Sequence, residues 1–181
     1  MRLTTKVAII TGGGSRIGKA VAHLFTQERA KVVIAQPTHT TGEETIAAIN
    51  SSDGGAVFIG TNVSIATEVE NLVKTSVNKF GKIDILFNNA GISIPPAPID
   101  TVEESQWDHI YAVNIKGMFL MAKCIVPEMK KAGGGVIINN SSHISHRPIV
   151  KNAAYSSTKA VVIALTRSLA LELAPDNIRV N

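Results

Sequence analysis

Lys6-Val7-Ala8-Ile9-Ile10-Thr11-Gly12-Gly13-Gly14-Ser15-Arg16-Ile17-Gly18 is the stretch that decides the fold. Its first five residues make an apolar, β-rich run, Thr11–Gly18 is glycine-rich, and Lys19 to Glu28 continues with helical periodicity. The order is strand, glycine loop, helix. Glycine admits positive φ and lets the backbone approach a ligand with no Cβ in the way. A helix behind the loop aims its unpaired N–H groups and the positive end of its dipole at it, which suits a pyrophosphate. Alone, a glycine cluster is more often an ordinary turn; inside a βαβ unit it reads as a dinucleotide site.

The alternation repeats along the chain. Strands are expected near Lys31–Ala35, Ala56–Gly60, Ile83–Asn88 and Val136–Asn140, with helices near Thr41–Ser51, Thr67–Lys79, Glu103–Lys131 and Ala153–Ala174. Apolar runs separated by amphipathic helices imply parallel strands with right-handed crossovers, covered on both faces. The fold class is therefore α/β, a doubly wound parallel sheet with ligands at the carboxyl ends of its strands. Thr101, with Glu104 three residues on, is placed to form a capping box. Pro127 is expected to kink or shorten the long third helix.

A second constellation lies in the later half. Tyr155 and Lys159 stand four residues apart in a helical run, with Ser142 thirteen residues before the tyrosine, at the end of the apolar run from Val136. Residues at i and i+4 share a helix face. The ammonium then favours loss of the phenolic proton, and Ser142 is placed to hold a substrate oxygen against the phenol. Carbonyl–alcohol interconversion needs such a set. A Tyr four residues before a Lys also arises by accident, so the pair gains its weight from the glycine loop at the other end of the chain.

Taken together, these segments resemble the short-chain dehydrogenase/reductase family over the whole chain. The matching pieces are Thr11–Gly18, Asn88-Asn89-Ala90-Gly91, Asn114 within Val113-Asn114-Ile115, Ser142, and Tyr155-Ser156-Ser157-Thr158-Lys159. The resemblance implies a Rossmann-like fold and hydride transfer between NAD(P) and a secondary alcohol or ketone. It gives Tyr155 the role of general acid and base, and Ser142 that of polarising the substrate oxygen. Lys159 would assist Tyr155 and hold the nicotinamide ribose, and Asn114 would keep a water in a proton relay at a local helix distortion. For the cofactor it implies Thr11, Gly12, Gly14, Ser15, Ile17 and Gly18 in the loop, with Asn89, Ala90 and Gly91 on the adenosine side. It also implies a homodimer or homotetramer built on the helices near Glu103–Lys131 and Ala153–Ala174.

Three departures from the family pattern stand out. Arg16 replaces the loop's middle glycine, so either its φ is negative or the loop is strained; its guanidinium is also suited to phosphate. Gln36 follows the second strand where NAD-preferring members have Asp, and no carboxylate occurs from Lys31 to Gly42, which tilts the expectation toward NADP. Alongside Gln36, and as part of the same departure on the adenosine side, Asn62, before Val63, replaces the usual Asp near the adenine. The third departure is the ending at Asn181. Family members continue through a Pro-Gly segment, a substrate lid and a last strand, so residues 1–181 are expected to be a single, C-terminally incomplete NAD(P)-binding domain with Val180 on an open edge. The competing readings are a non-catalytic nucleotide-binding or interaction module, and an inactive truncated fragment.

Composition sets the outer bounds. A chain of 181 residues with 45% hydrophobic content supports one sizeable core. The single Cys124 offers no intramolecular disulfide and fits a reducing compartment. With no leader before Lys6 and no apolar run of spanning length, a cytoplasmic protein away from membranes is expected. The net charge of +4 is mild and scattered, giving no case for nucleic acid. His143 and His146 read as solvent-exposed or substrate-lining rather than metal ligands, and His23 and His109 as helix surface or packing residues. Ile92–Asp100, with three prolines, reads as an ordered loop beside the site.

Overall fold

The computed structural model describes residues 1–51 and 55–181. In chain order the elements are β1 (Val7–Thr11), α1 (Arg16–Gln27), β2 (Lys31–Gln36), α2 (His39–Asn50), β3 (Gly55–Gly60) and α3 (Ala66–Phe80). They continue with β4 (Ile85–Asn88), α4 (Glu104–Tyr111), α5 (Gly117–Lys131), β5 (Gly135–Asn139), α6 (Ala153–Leu173) and β6 (Ile178–Val180). All strand pairings are parallel, in the order β3-β2-β1-β4-β5-β6. The chain winds outward from β1 to β3, returns to β4 on the other side of β1, and winds outward again. That reversal leaves a crevice beyond the carboxyl ends of β1 and β4, where ligands bind in such sheets.

Period-two alternation assigns the faces. Ile9, Val33, Leu86 and Ile137 join Leu72 of α3, Met121 and Ile125 of α5 and Leu173 of α6 in one core layer. Ile10, Val32, Ile34 and Phe87 pack with Ala22 of α1 and Ile49 of α2 in the other. Burying each large side chain contributes roughly 1.5–3 kcal/mol. Among the described residues no α-helix carries a side-chain N-cap hydrogen bond. Packing therefore fixes these helices, as it does for most helices in proteins.

Several expected boundaries move. The helix after the glycine loop begins at Arg16 rather than Lys19, α2 begins at His39 rather than Thr41, and β4 begins at Ile85 rather than Ile83. The capping box does not form. Thr101 lies in a 3-10 turn, where its Oγ1 donates to the Pro98 carbonyl at 2.9 Å, and α4 starts only after Glu103. Pro127 neither ends nor shortens its helix, since α5 runs through it to Lys131. The irregularity falls instead at Ala112–Lys116, a π turn between α4 and α5.

The joined run Glu104–Lys131 also corrects the reading that no apolar stretch reaches spanning length. It has 28 residues and an 18-residue window of mean hydropathy 1.3, so it passes by length and composition. Charged residues scattered along it mask this in the sequence. Its Ile110, Met118, Leu120, Met121, Ile125 and Met129 are buried within the fold, the pattern of a core helix.

Candidate active site

Thr11 closes β1 and organises the loop. Its hydroxyl accepts hydrogen bonds from the backbone N–H groups of Asn89 and Ala90, both at 2.9 Å, which draws the end of β4 against the start of the glycine loop. Gly12 has φ +65°, and a Cβ there would stand 3.2 Å from the Ala90 Cα. At Gly18 a Cβ would collide with the Gly12 carbonyl, so the first turn of α1 can close onto the loop only with glycine. The result is a backbone cradle at a helix N-terminus, and it fits a pyrophosphate.

Arg16 resolves one departure. Its φ is +45°, so the loop keeps the left-handed conformation that a glycine would adopt freely and the arginine carries the strain. Its side chain is exposed and lines the cleft with Ser15 and Ile17. Gln36, the second departure, stands at the end of β2, and its side chain is largely spent within the protein. Gln36 is buried, folded beneath the loop: its Oε1 accepts from the Gly14 N–H at 2.7 Å, and its Nε2 donates to the Thr38 carbonyl and to Thr41 Oγ1. A carboxamide beside an unpaired backbone N–H satisfies it, as a buried amide group requires.

Gln36 nevertheless borders a pocket of about 370 Å³ that includes Thr38, Thr41, Asn62, Val63, Ala90 and Gly91. Asn62 turns inward on its own loop, its Oδ1 accepting from the N–H and hydroxyl of Ser64. Val63 is largely buried and packs where a Cβ on Gly117 would stand. The pocket shares Gly12, Ser15, Ala90 and Gly91 with a neighbouring cleft of about 310 Å³, so the two form one trough across the strand ends.

The second cleft holds Ser142, Tyr155 and Lys159 together, against the glycine loop and Asn89–Gly91. The two halves of the sequence constellation meet here. Lys159 is 3% exposed, and its Nζ donates to the Asn140 carbonyl at 2.7 Å and lies 5.7 Å from the centre of the Tyr155 ring. Burial holds its pKa below the ordinary lysine value. Among the described residues no carboxylate lines this cleft, whose charged side chains are Arg16 and Lys159. An anionic cofactor suits that balance. Ser142 lies beyond the end of β5, at the start of a 3-10 turn over His143–Ser145, where its Oγ accepts from the Ile144 N–H at 3.4 Å.

Asn114 sits in the π turn and is fully buried. Its Oδ1 accepts from the Ile92 N–H at 2.8 Å; its Nδ2 donates to the Ile92 carbonyl at 2.9 Å and to Thr158 Oγ1 at 3.1 Å. The side chain thus pins the start of the 92–98 segment to α6, two residues of which stand in the cleft. That segment has no regular structure and is tied again at Ala97, whose N–H donates to the Lys151 carbonyl.

Sequence reasoning missed several supporting residues. Asn140 holds Lys159 through its carbonyl and Asn89 through its Nδ2. Asn139 accepts from Asn88 Nδ2 and donates to Thr166 Oγ1. Ser141 Oγ donates to the Lys159 carbonyl, and Thr158 Oγ1 to the Tyr155 carbonyl. The paired asparagines Asn88-Asn89 and Asn139-Asn140 at two strand ends were the available signal, since amides at the carboxyl end of parallel strands can bridge neighbouring strands. His143, His146 and His109 are exposed, and His109 borders the larger pocket.

The short chain dehydrogenase family profile matches residues 6–181. An uncharacterized oxidoreductase of Thermotoga maritima is 45% identical over 181 residues, which cover 100% of this chain and 71% of that protein. Among solved structures, a 3-ketoacyl-(acyl-carrier-protein) reductase from Brucella melitensis complexed with NADH is similar at 38% identity with a TM-score of 0.95, over 98% of this chain and 74% of that one. An NAD+-bound xylitol dehydrogenase is similar at 31% identity with a TM-score of 0.97, over 100% and 70%. The chain belongs to the short-chain dehydrogenase family, a class of NAD(P)-dependent oxidoreductases.

Proposed function

We propose that this protein interconverts a secondary alcohol and a ketone by hydride transfer, with Ser142, Tyr155 and Lys159 as its reacting set and Asn114 behind them. The observation that carries the reading is the convergence on one cleft beside the glycine loop of a buried lysine with no carboxylate partner among the described residues, a tyrosine one helical turn away and Ser142. The nicotinamide cofactor supplies or accepts the hydride. Gly12, Gly14, Ser15, Arg16, Ile17 and Gly18 would hold its pyrophosphate, Thr11 acting through Asn89 and Ala90. Gln36, Asn62, Val63 and Gly91 would border its adenosine side, and Lys159 would hold the ribose hydroxyls.

The proton steps then belong to this chain. Ser142 Oγ fixes the substrate oxygen against Tyr155 Oη, which gives up its proton in reduction and takes one in oxidation. Lys159 compensates the charge that forms on the phenol oxygen, and does so strongly because it is shielded from water. Asn114, its side chain committed to Ile92 and Thr158, holds the π turn that stands behind the lysine. NADPH is read as binding at least as well as NADH, because among the described residues no carboxylate borders the pocket at Gln36, Thr38 and Thr41 to repel a 2′-phosphate.

The same reading includes self-association and a cytosolic setting. Phe119 on α5 is 51% exposed, and with Ala122 and Val126 of the same helix and Leu165 and Leu169 of α6 it lines an apolar groove between the two helices. Such an outward apolar face suits a second copy in a dimer or tetramer; a monomeric mass by light scattering at micromolar concentration would count against it. The catalytic reading is tested by following NADH and NADPH oxidation over a panel of small ketones, with this chain and any longer form of the open reading frame. Ketone-dependent oxidation supports it. Cofactor binding without turnover in either form favours a nucleotide-binding module.

A further inference from the structure

We infer that Gln36 and Thr45 form a clasp on Gly14 that sets the glycine loop for either nicotinamide cofactor, and that Gln36 does not itself read the ribose 2′ group. The inference rests on the nicotinamide reading above. Gly14 is gripped from both sides. Its N–H donates to Gln36 Oε1 at 2.7 Å, and its carbonyl, 3.3 Å from Thr45 Oγ1, shares the single proton of that hydroxyl with the nearer Thr41 carbonyl. The grip is anchored in turn on α2 and the turn before it: Gln36 Nε2 reaches the Thr38 carbonyl at 2.8 Å and Thr41 Oγ1 at 2.7 Å, and Thr45 Oγ1 reaches the Thr41 carbonyl at 2.9 Å. Thr45 is fully buried and Gln36 is 8% exposed.

The chemistry selects glutamine. A carboxamide offers an acceptor and two donors, and here the acceptor takes the Gly14 N–H while both donors are spent on the α2 side. A ribose 2′-hydroxyl or phosphate would have to displace one of these bonds. Glutamate would turn a carboxylate oxygen toward the Thr38 carbonyl, and aspartate is a methylene too short to span from Gly14 to Thr41. Gly14 is equally constrained, because a Cβ would lie 2.5 Å from both amide heteroatoms of Gln36. Gly14 directly precedes Ser15 and Arg16, which open onto the cleft, so releasing it frees the part of the loop that both cofactors share.

The test is titration of NADH and NADPH, by fluorescence or calorimetry, into the parent, Gln36→Met and Thr45→Val, with Tm recorded for each. The expected result for Gln36→Met is a rise of about tenfold in both dissociation constants, about 1.4 kcal/mol, with the NADH-to-NADPH ratio held within about twofold. Thr45→Val should raise both by about threefold. Thr45→Val changes shape very little and carries the test if Gln36→Met fails to fold. A changed ratio with one constant unmoved would make Gln36 a direct reader of the 2′ group and overturn the inference, as would unchanged constants in a folded variant. A parent that binds neither cofactor refutes the nicotinamide reading itself and the clasp's role with it.

Discussion

The two ends of the parallel sheet are held together by opposite chemistry. At the amino ends of β1 and β4 a carboxylate does the tying. Asp84 accepts from the Val7 N–H at 2.8 Å and from Lys6 and Lys82 at 3.3 and 3.0 Å, while its backbone pairs with Val7 and Val136. At the carboxyl ends, neutral groups join β1, β4, β5 and α6: Thr11 to Asn89, Asn89 to Asn140, and Asn88 through Asn139 to Thr166. The difference teaches where charge is admissible. A carboxylate beside Lys159 would form a buried pair with it and repel an anionic cofactor. Amides cross-link strands without a net field, so the charges left on the cleft are Arg16 and Lys159.

The largest expected effect lies at the neutral end. Tyr155→Phe should lower turnover by at least about a hundredfold, about 2.7 kcal/mol of barrier, while leaving cofactor affinity and Tm close to the parent. Turnover within about tenfold of the parent, about 1.4 kcal/mol, would remove Tyr155 from proton transfer. Next comes the charged end. Asp84→Ala should cost about 2 kcal/mol in urea unfolding, since three hydrogen bonds to a carboxylate disappear, and should not change cofactor affinity. If it weakens cofactor binding as much as stability, the two ends are not independent.

Acid provides a second cut at Asp84. Burial pushes its carboxyl up, but the Val7 N–H, Lys82 and Lys6 outweigh this and hold it below the ordinary value near 3.8. Its stabilisation is therefore complete above that value and is lost as pH falls through the lowered folded pKa. Parent and Asp84→Ala should converge in stability on acidification over that window, and a gap that stays constant would show that the charge is not what stabilises.

Smaller effects sharpen the contrast further. Thr158→Val removes the acceptor for Asn114 Nδ2 and the hydroxyl bonded to the Tyr155 carbonyl; it should lower turnover by about fivefold, about 1 kcal/mol, with Thr158→Ser restoring most of it. A valine variant as active as the parent would show that Asn114 needs only Ile92. The smallest change is expected from Arg16→Gly. Relief of the left-handed φ, worth about 1–2 kcal/mol, is offset by the greater freedom of glycine in the unfolded chain, for a net gain of about 0.5 kcal/mol in urea. A loss of stability would mean that the arginine side chain holds the loop in a way its exposure does not suggest.

Much of the fold was legible because its signals are local. The apolar run before Thr11 is β1, and the alternation of apolar runs with helical periods recovers β2 to β5, α2, α3 and α6 to within a few residues, while the one helix expected over Glu103–Lys131 is α4 and α5 joined by the π turn. The misses share a cause. The Thr101 capping box and a shortening of the helix at Pro127 were inferred from residues that favour those features in isolation, yet Thr101 turned back to Pro98 and α5 passed through Pro127. Packing of Met121, Ile125 and Met129 against the sheet outweighs one lost helical hydrogen bond. The helix irregularity belongs to Asn114, whose partners at Ile92 and Thr158 are 22 and 44 residues away.

By itself, the sequence determined the alternating α/β order, the glycine loop and the membership of Ser142, Tyr155 and Lys159 in one set, because each is encoded in short-range spacing. Tertiary structure decided what those residues meet. It turned Gln36 under Gly14, made Arg16 rather than a glycine bear the positive φ, and gave Lys159 the Asn140 carbonyl in place of a carboxylate. Partners such as these lie on different strands and loops. Hydrogen bonds and burial between them exist only once the sheet has brought its carboxyl ends together, and no periodicity along the chain records that meeting.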